Sequence, residues 1–257
     1  MVTIWIHGTR LFKTVTQPLD EYIHAAPPTG LTPITKLSHK HRLIRVAKTL
    51  SNADPHRFSL DTFYAFGWSG DLSFAARKEA ASKLYQELLH LREELTKGWF
   101  FWQKKPKFRL ITHSHGSNVV LNLAQVKKSN DDLIIDEAIF LAGPVQKETR
   151  DFVHAPCFKK IYAFYSTLDS IQILDPQGMY KLKDGDKRHV QFSGRRLPFS
   201  PKVYQTKIKI NGHGVPHVGF IMNKFVQLLP TALDEVSEWY KQEPIKECQE
   251  RLLSIRT

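Results

Sequence analysis

The sequence predicts an α/β fold with a doubly wound, mostly parallel sheet of about six strands flanked by helices. Three observations predict it. Short β-branched or aromatic runs recur along the 257 residues, amphipathic helical patterns separate several of them, and no internal repeat or low-complexity linker breaks the alternation. The length suits one α/β domain with a large buried core, so residues 1–257 are expected to form a single domain.

The first strand-like run is Val2 to His7. It lacks a basic n-region and a small-residue cleavage site, so it reads as a strand rather than a signal peptide, and a cytoplasmic location is expected with non-classical export left open. Residues 9–61 contain Ala26-Pro-Pro-Thr-Gly30, Pro33 and the basic His39-Lys-His-Arg42, and should form a long irregular excursion with one or two short helices. Thr62 to Gly67 is the second strand. From Ser73 to Thr96, apolar residues at Ala76, Ala80, Leu84, Leu88, Leu91 and Leu95 are spaced by three or four, so one helix face packs on the sheet. Further strands are Phe108 to Thr112, Asp136 to Ala142, Lys160 to Tyr165 and Val203 to Ile210. A second excursion, 175–202, is rich in Gly, Pro and charge. Long loops of a compact domain are usually functional or disordered, which makes both excursions candidate lid or cap elements. The last helical pattern runs from Gly219 into Trp239, and Pro230, with no amide to donate, should kink or split it.

The charge is strongly unbalanced: 37 Lys plus Arg against 25 Asp plus Glu, a formal +12 with a pI near 9.6. The cations cluster in Lys104-Lys-Pro-Lys-Phe-Arg109, from Lys181 to Arg188 and at Arg195-Arg196. No RNA- or DNA-binding motif and no face of interleaved stacking aromatics accompanies them, so nucleic acid is disfavoured as a partner. A solvated surface, an anionic membrane surface or an anionic substrate fits better. Trp99-Phe-Phe-Trp102 beside Lys104 and Lys105 is either an apolar knob for such a surface or a helix end packed into the core. No segment reaches the roughly 18 apolar residues of a membrane span. Cys157 and Cys248 lack metal-ligand or redox spacing and read as unpaired, noncatalytic thiols of a reducing compartment. No cofactor and no metal are expected, and nothing sets an oligomeric state.

The chemistry concentrates in Leu110-Ile-Thr-His-Ser-His-Gly-Ser-Asn118. A strand-like run leads into Ser114, and helical spacing follows from Val119 to Val126, so Ser114 lies on a strand-to-helix turn. Such a turn admits only small residues two positions either side of the serine, here Thr112 and Gly116. Ser114 is then either an exposed nucleophile or a helix N-cap. A serine nucleophile needs a base within reach and a carboxylate to orient that base. Asp169 follows the strand ending at Tyr165, along the sheet edge where open α/β sheets bind ligands; it could equally cap a short helix or make an Asx-turn, and Asp175 is a weaker alternative. After the last strand comes Asn211-Gly-His213-Gly-Val-Pro-His217. His217 directly precedes the amphipathic helix, which would fix its position, whereas His213 sits between two glycines. At the end of the first strand, Ile6-His7-Gly8-Thr9 could offer the Thr9 amide to an oxyanion, with the His115 amide as second donor; losing one such donor raises a barrier by about 3 kcal/mol. A metal site on His113 and His115 with His213 or His217 lacks the helical His-Glu-x-x-His pattern.

With Ile4-Trp-Ile-His-Gly-Thr9, Thr112-His-Ser-His-Gly116 and the later Asp and His, the chain resembles the α/β-hydrolase superfamily, in particular small bacterial lipase-like or esterase-like members. Phe66-Gly-Trp68-Ser-Gly70 with Arg77 and Ala80-Ala81 downstream, and His113-Ser-His-Gly-Ser-Asn118, are similar to segments of a poorly characterised group of these. The resemblance covers nearly the whole chain and implies a minimal α/β-hydrolase fold. It also implies a serine hydrolase cleaving small-molecule or lipid carboxylic esters, with Ser114 as nucleophile, Asp169 as acid, His217 as base and oxyanion amides at Thr9 and His115. Thr112 and Ser117 depart from the group's glycines but are small. Trp68 could line the acyl or alcohol pocket and Arg77 could contact an anionic substrate group, but they read first as a packed Trp and a helix-surface Arg. The other functional class to weigh is a noncatalytic protein of this fold that binds a partner or an anionic ligand through its basic loops.

Overall fold

The computed structural model describes residues 1–10, 26–97, 105–173, 194–243 and 251–256. All six expected strands form: β1 (Val2–Ile6), β3 (Phe63–Gly67), β4 (Phe108–His113), β5 (Ile135–Leu141), β6 (Ile161–Tyr165) and β7 (Val203–Ile210). Three more join the same sheet among the described residues: β2 (Gly30–Pro33), the two-residue β8 (His213–Gly214) and β9 (Arg251–Ile255). The strand order is β2-β3-β1-β4-β5-β6-β7-β8, with β9 also on β7. Only β2 and β8 pair antiparallel. Lys209 and Ile210 pair with β8 and with β9, so those two strands flank β7 on opposite edges.

The winding reverses at β1. From β1 the chain moves outward to β3, then returns to place β4 on the other side of β1, with Ile6 paired to Thr112. Such a reversal opens a crevice at the strands' C-terminal ends. Here it brings His7-Gly8-Thr9 beside His113-Ser114.

Alternation along the strands fills both faces. Ile4, Ile6, Leu110, Ala138 and Phe140 face one core, closed by α2 (Phe74–Thr96) and the short α3 (Gly116–Leu121) and α4 (Leu123–Val126). Trp5, Ile111, Ile139 and Phe164 face the other, closed by α1 (Arg42–Ala53) and α5 (Asn223–Gln242). In α2, Ser73 caps the N-terminus by accepting from the Ala76 amide, and Ala80, Leu84, Leu88 and Leu91 are buried as their spacing requires.

Several expectations need correction. The described part of the first excursion, 26–61, is more regular than expected: β2 extends the sheet, and the helix in this stretch, α1, buries Leu43, Val46, Ala47 and Leu50 in the core. Pro230 does not split the last helix: it forfeits the bond to Val226 and crowds that carbonyl, yet the helix runs on through it with Val226, Leu229 and Leu233 buried on either side; Arg57 meanwhile donates to the Pro230 carbonyl. Arg77 is fully buried rather than on the helix surface, donating to Gln146 Oε1 and lying 4.8 Å over the Phe74 ring. Arg109 is likewise buried, paired with Glu137 at 2.6 Å, and burial lowers its pKa. Cys157 is buried with its thiol pushed up by desolvation. Trp99 to Trp102, Lys104, Asp175, Lys181 to Arg188 and Cys248 lie outside the described residues. Among the described residues no helix is long and apolar enough to cross a membrane.

Candidate active site

Ser114 follows β4 directly and holds a left-handed backbone conformation, φ 53°. A non-glycine residue there costs about 1–3 kcal/mol and persists only where surrounding structure enforces it. The enforcement is visible. The Ser114 amide donates to Leu141 O, and the Ser117 hydroxyl donates to Ser114 O. A Cβ on Gly116 would stand 2.7 Å from Ile6 O and 2.8 Å from His7 O, so the turn closes only over a glycine. At the other small position, Thr112 is buried with its hydroxyl donating to Ile139 O.

Beside the turn, the end of β1 is set by His7. The Trp68 amide donates to His7 Nε2, so the ring proton sits on Nδ1 and donates to Gly8 O at 2.7 Å. Trp68 stacks on that ring and returns its indole N–H to His7 O, which makes it the packed Trp that was expected. With the Gly8 carbonyl turned to His7, a trans peptide aims the Thr9 N–H the opposite way. Among the described residues that amide has no hydrogen-bond acceptor. A Cβ on Gly8 would lie 2.8 Å from Ser114 Cβ, so this loop and the serine are in contact.

Asp169 and His217 meet. Asp169 Oδ2 is 2.8 Å from His217 Nδ1, and both residues are buried. The other oxygen, Oδ1, accepts from the Gln172 amide, so the Asx-turn and the imidazole contact are made by one carboxylate. The structure thus brings His217, not the exposed His213, to Asp169. With Nδ1 donating, His217 Nε2 is left as the acceptor nitrogen. Among the described residues neither His217 Nε2 nor Ser114 Oγ makes a hydrogen bond, so the turn at Ser114 and the His217 loop are not joined through those atoms.

Four residues that sequence reasoning missed hold these loops. Ser166 Oγ accepts from the Val215 and Leu168 amides, tying the loop that carries Asp169 to the loop that carries His217. Gln172 donates its side-chain amide to Gly143 O at 2.7 Å, beside the elbow. Arg195 donates to the carbonyls of Ser166, Thr167 and Asp169. His113, the residue before Ser114, donates from Nε2 to His217 O at 3.1 Å. A small recess beside the site is lined by Ser117, Gly143, Gln172 and Arg195 among others, but not by Ser114 or His217.

The sheet thus presents at one edge a serine on a strained turn between strand and helix, a buried carboxylate–imidazole pair that follows it in sequence, and a loop after β1 in contact with the serine. The fold is a doubly wound, mostly parallel α/β sheet flanked by helices.

No family model matches the sequence, and no curated protein matches it. Among solved structures, a hormone-sensitive lipase from a metagenome library aligns over 93% of this chain and 77% of its own, with a TM-score of 0.46 and 11% identity. The Pyrococcus furiosus esterase Pf2001 aligns over 94% and 80%, with a TM-score of 0.40 and 14% identity.

Proposed function

We propose that this chain is a serine hydrolase of carboxylic esters, and the observation that carries the reading is the buried Asp169–His217 contact at 2.8 Å beside the strained Ser114. In this reading His217 Nε2 takes the proton of Ser114 Oγ as Oγ attacks the ester carbonyl. The oxyanion of the tetrahedral intermediate is met by the Thr9 and His115 amides. Collapse breaks the ester C–O bond, and His217 hands its proton to the departing alcohol, leaving Ser114 acylated. Water then adds to the acyl group, giving a proton to the same nitrogen, and the acid is released as Ser114 recovers its proton. Asp169 holds the imidazole with its proton on Nδ1 and faces the cation that forms during each step. The substrate class is a small-molecule or lipid ester, and the charge of +12 favours one presented at an anionic membrane surface.

A noncatalytic role draws on a separate observation, the missing hydrogen bond between Ser114 Oγ and an imidazole among the described residues. Catalytic hydrogen bonds are often long before substrate binds, so the two readings divide on reactivity. A fluorophosphonate probe tests both. Covalent labelling of the wild type, abolished in Ser114→Ala, is the expected result; a well-folded wild type that stays unlabelled would leave the binding reading in place.

A further inference from the structure

The His-Ser-His motif contains one histidine that the proposed reaction does not use. His113 is the last residue of β4 and, two positions after Ile111, shares its face, toward α5 and the turn His217–Ile221 that leads into it. It is buried, and its ring lies 4.6 Å from the His217 ring at a tilt of 50°. Its Nε2–H donates to the His217 carbonyl across 104 residues of sequence. The neighbouring ties hold other pairs of loops: Ser166 joins the acid loop to the base loop, and Gln172 joins the acid loop to the turn after β5. The elbow and the base loop meet through His113.

We propose that His113 is a positioning residue that sets the distance between Ser114 and His217 by gripping the base's own carbonyl from the residue adjacent to the nucleophile. The proposal rests on the serine-hydrolase reading. The chain's geometry explains why the grip matters. Asp169 fixes the plane and tautomer of His217 from the Nδ1 side, yet Asp169 stands on the loop after β6 and carries no information about where β4 ends. His113 and Ser114 are consecutive, so whatever holds His113 to the base loop holds Ser114 to it also. A displacement of the base by about 1 Å is enough to reduce turnover roughly 100-fold. Donation from Nε2 also requires that this nitrogen keep its proton while His217 gains and loses one. Burial favours the neutral ring, which holds a single proton and here keeps it on Nε2.

The test compares wild type, His113→Phe and His113→Gln on p-nitrophenyl acetate, together with the second-order rate of fluorophosphonate labelling and the thermal midpoint. Phenylalanine keeps a ring and removes the donor; glutamine restores an N–H at similar reach. The expected result is a fall in kcat of about 10- to 100-fold for His113→Phe with KM within about twofold of wild type, and recovery of most of the loss in His113→Gln. His113→Leu supplies the same donor-free comparison if the phenylalanine variant does not fold. Turnover by the donor-free variants at the wild-type rate overturns the proposal. Equal loss in the glutamine and phenylalanine variants, in step with their thermal midpoints, overturns it too, by reducing His113 to a packing residue. A wild type that the probe does not label overturns the hydrolase reading and this proposal with it, whereas a labelled wild type with indifferent variants overturns this proposal alone.

Discussion

Asp169→Asn separates the work of two oxygens on one side chain. The amide oxygen still accepts from the Gln172 amide and keeps the turn, but an N–H now opposes His217 Nδ1, so the ring moves its proton to Nε2, the atom that accepts from Ser114 in the proposed mechanism. The expected loss is on the order of 10⁴-fold in kcat on p-nitrophenyl acetate with an unchanged circular dichroism spectrum. His113 has a second, energetic signature. Burial holds its pKa well below the usual histidine range, with the neighbouring His217 adding to the effect. Its folded value lies below the unfolded one, so below roughly pH 6.5 the unfolded chain binds the extra proton and stability falls with pH, by at most about 1.4 kcal/mol per pH unit. Urea unfolding at about pH 7.5 and 5.5 should show a smaller acid loss for His113→Gln than for wild type. Ser114, Asp169, His217 and Thr9 are legible in the sequence because each follows a strand-like run and they come in a required order. His113, Ser166, Gln172 and Arg195 are not. Each reaches a main-chain atom 26 to 104 residues away, and since every residue type offers such an atom, the pairing leaves no pattern.

Elements, rather than single groups, bear the consequence of Arg195. Its guanidinium gathers three carbonyls of the loop that carries Asp169, while Gly194 next to it exchanges backbone hydrogen bonds with Val145. Arg195→Ala frees one end of that loop. Hydrogen exchange should quicken in peptides covering 166–173 and stay unchanged in β4, and fluorophosphonate labelling should slow by about tenfold; protection equal to wild type would mean that the loop is held by Ser166 and Gln172 alone. At this scale the six expected strands are legible because β-branched and aromatic residues either run together, as in β1 and β6, or alternate with polar ones, as in β7. The edges are not. β2 is Gly-Leu-Thr-Pro, whose glycine and proline signal a turn, and β8 is two residues long. β9 is a short edge strand whose place on β7 is chosen by tertiary pairing. Helix α1 is obscured for a related reason: it follows a proline-rich stretch, and its N-cap is His41, whose Nδ1 accepts from the Leu43 amide in place of the usual Ser or Asp.

Across the whole molecule, the sheet divides the interior into two cores that share no side chains, one under α2 and one under α1 and α5. Leu84 and Leu229 are fully buried, one in each. Leu84→Ala and Leu229→Ala should each cost about 2–5 kcal/mol in denaturant unfolding. The double variant should lose their sum to within about 0.5 kcal/mol, since the two sites have no common partner. A coupling well beyond that would mean that the sheet transmits strain between its faces. The proposed site draws one loop from each of β1, β4, β6 and the hairpin after β7, so its groups are spread from Thr9 to His217 along the chain and from the middle of the sheet to its far side. No contiguous half of the polypeptide contains it. On the proposed function, turnover is a gauge of completed assembly: a partly folded state, however rich in helix and strand, is silent, and ester hydrolysis during refolding should appear only with the last strand to dock.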